Sequence, residues 1–222
     1  ARLPSIQWDK SDGLCCGFDV CVALAVESAK DGCDRDSGVR TARQKRLSDF
    51  LCSRLFVRGV DLDGGNSRLS QVSMDSSVNS GIELASGASL TLLRSSLRGL
   101  TGTALNLSGA AEVENSLIVA GADGIVVTAT GSLTLRHSTM ADGTGVGIDN
   151  NAGGTITVAS TILWNHVGGD MPGVACAAVT WSLIGDTVCA GNLTGSPMLD
   201  VDYRPTAGSP VLDYGPDPAT YT

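Results

Sequence analysis

The sequence has little of what most globular domains use to fill a core or to charge a surface. Aromatic residues make up 4% of the 222 residues and charged residues 17%. No apolar run approaches the roughly 18 residues that a membrane-spanning helix requires, and a stretch such as Cys21–Val26 is far shorter. The sequence therefore predicts no transmembrane segment. No secretion signal is recognisable at Ala1, so an exported form would be a mature or trimmed chain.

Positive charge is scarce over most of the chain. Residues 67–222 hold 5 basic and 13 acidic residues, a difference that equals the net charge of -8 of the whole chain. All three lysines, Lys10, Lys30 and Lys45, lie before this region. Sequence-independent binding to nucleic acid needs clustered Lys and Arg to neutralise phosphates, so the composition argues against a nucleic-acid partner.

Histidine is also rare, with two residues in the chain, and no two cysteines form a C-x-x-C pair. A zinc site of the usual spacing is therefore not predicted. Seven cysteines instead favour disulfides in an oxidising compartment, with one thiol left over. Five of them lie near the start: Cys15, Cys16, Cys21, Cys33 and Cys52. Their pairing stays open, because four cysteines pair in three ways once one is set aside.

What the chain does have is an internal repeat of about 22 residues. Hydroxyl residues recur at Ser73, Ser95, Ser116, Ser138, Thr161 and Ser182. An apolar residue precedes each of the last five by three positions, and another follows by two. A further apolar set recurs at Ile82, Leu105, Ile125 and Ile148. A fixed period of this size identifies a repeat architecture.

Within each repeat the apolar residues alternate with polar ones, as in Leu90–Leu92, Leu133–Leu135 and Ile156–Val158. Alternation over short stretches predicts strands, and 28 glycines supply the bends between them. The leucine-rich repeat signature is absent. We therefore predict an all-β fold, a right-handed parallel β-helix of about 6–7 coils stacked about 4.8 Å apart.

The residues directly before the last five hydroxyls mark a predicted bend between strands, a place that Asn115 and Ser160 suit. These residues are Arg94, Asn115, His137, Ser160 and Trp181, here called the bend column. The domain prediction is an N-terminal cap or attachment segment over 1–54, the β-helix over 55–200 and a closing tail over 201–222 that lies across the last coil. The cap is predicted to contain helices over 19–29 and 37–51 and to be stapled by its five cysteines.

The repeat text LTLRHSTM and the late coil Ser160–Asn165 resemble the secreted right-handed parallel β-helix repeat proteins of bacteria. The tail, DYRPTAGSPVLDYG over 202–215, is similar to the closing motif of that family. The resemblance covers about residues 67–215 and implies export to the cell surface or medium. It also implies a disulfide between Cys176 and Cys189 in the final coil. A fragment of a longer autotransporter-like passenger is an alternative that the sequence leaves open.

Two groups of residues are candidates for a site. Arg94 or His137 would serve as a proton-abstracting base with Glu114 as its partner, as in a polysaccharide lyase. The favoured interpretation of these three is a surface bend with an ion pair, which leaves no catalytic residue assigned.

The second group is Asp61, Asp63 and Asn66, whose Asp-x-Asp-Gly context can present oxygens to Ca²⁺. A turn between coils is the favoured interpretation, and no other cofactor is predicted. A second acidic column, Glu83, Asn106 and Asp149, is interrupted by Val126, so it predicts no ladder of carboxylates.

Two classes of function follow. The first is a secreted or cell-surface structural or binding module, adhesin-like or a subunit of an extracellular assembly, whose partner is a surface glycan or another protein subunit. The second is a polysaccharide lyase or glycoside hydrolase acting on acidic glycans. The acidic residues are scattered over different columns and the region has few bases, so we favour the non-enzymatic class.

Overall fold

The computed structural model describes residues 59–75, 80–119 and 121–215. The predicted N-terminal cap, its two helices and its five cysteines lie outside the described residues. Within the described part, no helix is long and apolar enough to cross a membrane.

Short strands separated by bends account for the described chain. Their bounds are β1 Val60–Leu62, β2 Asn66–Ser70, β3 Ser73–Asp75, β4 Ile82–Leu84, β5 Ser89–Leu93, β6 Ser96–Arg98, β7 Leu105–Leu107, β8 Ala110–Glu114 and β9 Leu117–Val119. They continue as β10 Ile125–Val127, β11 Ser132–Arg136, β12 Thr139–Ala141, β13 Ile148–Asp149, β14 Thr155–Ala159, β15 Ile162–Trp164, β16 Val179–Thr180, β17 Leu183–Ile184 and β18 Leu193–Thr194. One short 3₁₀ turn, Cys176–Ala178, precedes β16.

Every third strand belongs to the same sheet, so the chain is a parallel β-solenoid. Within the described residues the first sheet runs β1-β4-β7-β10-β13, the second β2-β5-β8-β11-β14-β16 and the third β3-β6-β9-β12-β15-β17-β18. The predicted all-β parallel fold and its period are confirmed. The solenoid has about five turns rather than the predicted six to seven, because the strands after β15 form only parts of further coils.

The interior is filled by columns of equivalent apolar side chains. In the second sheet Leu92 lies opposite Val113, which the register then relates to Leu135 and Val158. All four side chains are fully buried. In the first sheet the predicted column Ile82, Leu105, Ile125 and Ile148 is confirmed by the same kind of register. Parallel strands in successive coils thus stack equivalent apolar side chains on one another in the interior.

The hydroxyl column ties each coil to the next. The Ser116 Oγ donates to the Glu114 carbonyl at 2.9 Å and accepts the Ser95 N–H at 3.1 Å, and the Ser138 Oγ likewise accepts the Ser116 N–H at 3.1 Å. The predicted stacking of Ser95, Ser116 and Ser138 is confirmed. At the far end the Asn192 Oδ1 replaces a hydroxyl and accepts the Ser182 N–H at 2.8 Å.

The first member of that column was predicted wrongly. Ser73 lies opposite Ser96, so its neighbour Val72 is the true equivalent of Ser95. The Val72 N–H accordingly donates to the Ser95 Oγ at 3.2 Å. The apolar positions of this coil are filled by Leu69 and Met74, which are buried. The weak match of the first repeat came from a register error of one residue.

The bend column is confirmed as a column of tight bends. Each of its five residues has a left-handed backbone, with φ between 47° and 51°. Non-glycine residues adopt this conformation infrequently, and Asn is among those that tolerate it best. The backbone ladder stabilises the bends, since the Arg94 N–H donates to Glu114 and the Asn115 N–H to Arg136, at 3.0 and 3.2 Å.

The closing tail contacts the last coil, where the Tyr214 hydroxyl donates to the Gly191 carbonyl, and it also reaches back along the solenoid to Asp142. It forms a hairpin in which Leu199 pairs with Pro205, and this hairpin folds back along the outer face of the third sheet. There the Tyr203 hydroxyl donates to the Asp142 Oδ2 at 2.7 Å. The outer face of the third sheet is apolar at Ala141, which is fully buried although its strand neighbour Met140 points inward.

The implied disulfide is present. Cys176 and Cys189 are joined, with their Cα atoms 5.2 Å apart and a separation of 13 positions in sequence. The bridge closes the loop that carries β16 and β17. It therefore fixes the incomplete coil on which the tail begins.

Candidate functional site

A groove runs parallel to the solenoid axis between the bend column and the closing tail. Its floor is one residue from each of three successive coils, Thr139, Ile162 and Leu183, which the register of the third sheet places side by side. The groove has a volume of about 370 Å³ and is open to solvent. It therefore has the shape of a shallow channel rather than of an enclosed cavity.

One wall consists of the last three members of the bend column, His137, Ser160 and Trp181. The left-handed bend turns these side chains outward while the hydroxyls that follow, Ser138 and Thr161, remain buried. Trp181 is 45% exposed, which leaves part of its indole available to a ligand. A large apolar ring held at the rim of a polar channel is the principal chemical feature of this wall.

The closing tail supplies the other wall through Pro205, Val211 and Tyr214. The Tyr214 hydroxyl donates to the Gly191 carbonyl at 2.6 Å, which anchors the base of the tail to the last coil. The Tyr214 ring lies 6.1 Å from the Trp181 ring, centroid to centroid, at an interplanar angle of 57°. This tilted pair crosses the end of the groove nearest the last coil.

The described residues that line the groove carry apolar side chains, hydroxyls, one imidazole and aromatic rings, but none carries a carboxylate. Such a surface presents hydrogen-bond donors and acceptors beside an aromatic face. It suits an uncharged polar ligand with an apolar side, since pockets commonly combine apolar lining with a few polar groups that fix orientation.

The structure places the predicted catalytic candidates on one side of the molecule without joining them. Arg94 and His137 lie in the bend column two coils apart, with Asn115 between them. Glu114 belongs to the adjacent column, where the Asn115 Nδ2 donates to its Oε1 at 3.2 Å. His137 lines the groove. Their catalytic role stays a prediction.

The predicted calcium candidates lie at the start of the solenoid, far along the chain from the groove. Asp61 is in β1, Asp63 lies in the turn that follows and Asn66 opens β2. All three side chains are exposed, and the Asn66 Oδ1 accepts the Ser89 hydroxyl at 2.8 Å. Among the described residues no group of three or more His, Cys, Asp and Glu is placed to hold a metal ion. Calcium binding here stays a prediction.

A buried pair that the sequence reading missed lies under the third sheet. The His166 Nδ1 and the Asp170 Oδ1 are 2.8 Å apart, with 0% and 1% of the two side chains exposed. The Asp170 Oδ2 accepts the Gly185 N–H at 2.8 Å. A Cβ on Gly143 would lie 2.6 Å from the His166 ring, so a glycine there makes room for the imidazole. The available signal was a His and an Asp four residues apart among glycines.

The tail also places Tyr203 in an unusual environment. Its ring lies 5.6 Å from the Arg98 guanidinium carbon and its hydroxyl contacts Asp142. Burial, followed by the hydrogen bond and the negative charge of Asp142, raises the pKa of Tyr203 to about 12. The phenol is therefore neutral over the physiological range. Tyr203 was identified from the sequence as part of the closing motif, but no contact was predicted for its side chain.

The fold and the groove define a class: a β-solenoid repeat protein with an axis-parallel, aromatic-edged surface channel. No family model matches the chain, and no curated protein and no solved structure matches it either. The structure shows the parallel β-solenoid fold that the resemblance implies, and nothing in the comparisons shows the family itself.

Proposed function

We propose that this protein is a carbohydrate-binding module, secreted or displayed on a cell surface, whose ligand occupies the groove between the bend column and the closing tail. The observation that carries the proposal is the exposed Trp181 indole at the rim of a channel lined by hydroxyls and an imidazole. A pyranose has an apolar face that packs on an aromatic ring and a rim of hydroxyls that exchange hydrogen bonds with side chains of this type.

Binding fits the groove better than hydrolysis does. Glycoside hydrolases of the common type need two carboxyl groups, about 5–5.5 Å apart in retaining enzymes and about 6.5–9.5 Å apart in inverting ones. The described lining of the groove offers no carboxyl group. A lyase acting through His137 remains the second class, and it is addressed by the assay below.

The charge of the chain favours a neutral glycan over an acidic one. Residues 67–222, which build nearly all of the solenoid, carry the entire net charge of -8. A polyanionic glycan would be repelled by this surface, whereas a neutral glycan would not. The Cys176–Cys189 bridge supports an oxidising, extracytoplasmic location, where disulfides persist.

The test is a binding titration against neutral and acidic polysaccharides, with the wild type and two variants. Trp181→Ala is expected to lower the affinity for the bound glycan at least tenfold, because it removes the aromatic platform. Met198→Ala is the matched control, since Met198 is 47% exposed, close to the 45% of Trp181, and does not line the groove. It is expected to leave the affinity unchanged.

The same samples are assayed for new reducing ends and for unsaturated products, in Ca²⁺ and in EDTA. The proposal expects binding without product. Product release from any glycan, abolished by His137→Ala, would establish the enzymatic class instead. Equal affinities of Trp181→Ala and the wild type would show that the groove is not the binding site.

A further inference from the structure

The wall that lines the groove continues beyond it. The register of the second sheet extends the bend column from His137 to Asn115 and then to Arg94, one residue in each preceding coil. The floor extends in the same way, from Thr139 to Leu117 and Ser96 in the third sheet. Asn115 and Arg94 are exposed. The groove is thus the end of a longer track that follows the solenoid axis.

We infer that this track binds a linear oligosaccharide end-on and parallel to the axis, with its terminal sugar against Trp181 and its chain running towards Arg94. This inference rests on the proposed function and specifies how the ligand is oriented in the same site. Each coil contributes one member of the bend column. The ligand is therefore expected to meet one protein side chain for each sugar over as many as five units.

The geometry of the groove sets the direction of the chain. The tilted Trp181–Tyr214 pair crosses the end nearest the last coil, and the Tyr214 hydroxyl is tied to the Gly191 carbonyl. A polymer cannot pass through this end without breaking both contacts. At the other end the track is continued by exposed residues. A chain terminus therefore fits the Trp181 end, and the rest of the chain leaves along the bend column.

The backbone fixes the spacing of the track before any ligand binds. The His137 N–H donates to the Ala159 carbonyl at 3.2 Å, and the Ser160 N–H donates to the Thr180 carbonyl at 3.0 Å. These bonds repeat the coil-to-coil step of about 4.8 Å at every bend. An extended hexopyranose chain advances by nearly this distance per unit. The backbone of this wall is therefore preorganised, so binding does not have to order it.

The chemistry of the outer track suits hydroxyls. Arg94 donates only, and the Asn115 side chain donates to Glu114, which leaves its own carbonyl oxygen directed to accept. Donors and acceptors of this kind match the ring hydroxyls of a neutral sugar. The single guanidinium lies at the end of the track, four coils from Trp181.

The experiment measures affinity as a function of oligomer length, using neutral β-1,4-linked glucose and N-acetylglucosamine oligomers of two to six units. Affinity is expected to rise with each unit up to about five. Arg94→Ala is expected to lower the affinity for the longest oligomers about fivefold, the loss of about one hydrogen bond, and to leave the affinity for dimers unchanged. Arg68→Ala, an exposed arginine on β2, is the matched control.

A second measurement tests the end-on geometry. The same oligomer is immobilised through its reducing end or through its non-reducing end, and exactly one of the two forms is expected to retain the protein. Equal retention by both forms, or an affinity that does not change beyond the dimer, would overturn this inference while leaving the groove as a binding site. Failure of every neutral oligomer to bind would overturn the proposed function as well.

Discussion

A buried hydroxyl makes two hydrogen bonds at the same point of each coil, one within the coil and one between coils. For Ser116 these are the bond to the Glu114 carbonyl and the bond from the Ser95 N–H. The Ser116→Ala variant leaves a buried N–H and a carbonyl to find other partners. It is expected to lower the free energy of unfolding by about 1–3 kcal/mol in a urea titration.

The matched variants for this prediction come from the chain itself. Ser116→Thr keeps the hydroxyl, as Thr161 does naturally in the same column, and is expected to retain most of the stability. Ser86→Ala, in an exposed turn, is expected to change it by less than about 0.5 kcal/mol. If the Ser116→Ala variant were as stable as the wild type, the hydroxyl column would help to set the register of the coils but add little to the free energy of unfolding.

The buried Asp170 carboxylate serves three donors. It accepts the His166 N–H at 3.2 Å, lies 2.8 Å from the His166 Nδ1 and accepts the Gly185 N–H at 2.8 Å. Asp170→Ala leaves all three donors buried without an acceptor. The variant is therefore expected to lower the free energy of unfolding by about 3 kcal/mol or more in a urea titration. Asp186→Ala is the control, because Asp186 is exposed and accepts one N–H at 3.1 Å. A similar loss in both variants would contradict the central role of Asp170.

At the scale of the element, the strands of the solenoid were predictable because identical environments repeat. Ile82, Leu105 and Ile125 are all apolar because their side chains stack on one another in successive coils. Once the period of the repeat is known, the equivalent positions in the other coils follow from it. The first repeat was misread because Ser73 imitates the hydroxyl column one residue late. An isolated match cannot fix register, since a slip of one residue exchanges the two faces of a strand.

The groove was only half predictable, for the same reason. The bend column belongs to the repeat, and its members were identified from spacing alone. The opposite wall belongs to the tail, which is not part of the repeat and whose position depends on contacts with residues far away in sequence. Tyr203 lies 61 residues from Asp142 along the chain. No local pattern encodes such a contact.

The disulfide acts on one element, the loop between the 3₁₀ turn and β18. Cys176→Ser together with Cys189→Ser is expected to lower the free energy of unfolding by up to about 3 kcal/mol, since the bridge closes a loop of 13 residues. The measurement is urea unfolding of the double variant beside the wild type. Because β16 and β17 lie within the closed loop, the loss is expected to appear first as greater hydrogen exchange there. Unchanged exchange in β16 and β17 would contradict a local role.

Within the described residues, the closing tail links coils that lie far apart along the solenoid. The solenoid coils contact their neighbours one step at a time, whereas the tail begins at the last coil and reaches back to Arg98 in β6. Its residues Pro205, Val211 and Tyr214 complete the groove. If the contacts of Tyr203 were lost, the tail would move and the groove that it lines would change shape.

Tyr203 makes this link sensitive to alkaline pH. Its pKa is raised from 10.0 to about 12 by burial and by Asp142, so the folded state holds the phenol proton more tightly than the unfolded state does. The stabilisation is complete below pH 10 and is lost as the pH rises towards 12. Tyrosinate absorbance, taken as the difference between wild type and Tyr203→Phe, is expected to titrate near pH 12.

Two variants separate the causes of that shift. Asp142→Asn removes the charged acceptor and is expected to move the titration of Tyr203 back towards 10, though not fully, because burial is the larger cause. Tyr214→Phe removes the other tail phenol bonded to the solenoid and is expected to leave the Tyr203 titration in place. The tail should also detach over the same pH range, which glycan affinity reports, since Pro205 and Val211 would leave the groove with it. A Tyr203 titration near 10 in the wild type would show that the tail does not hold this phenol against the third sheet in solution.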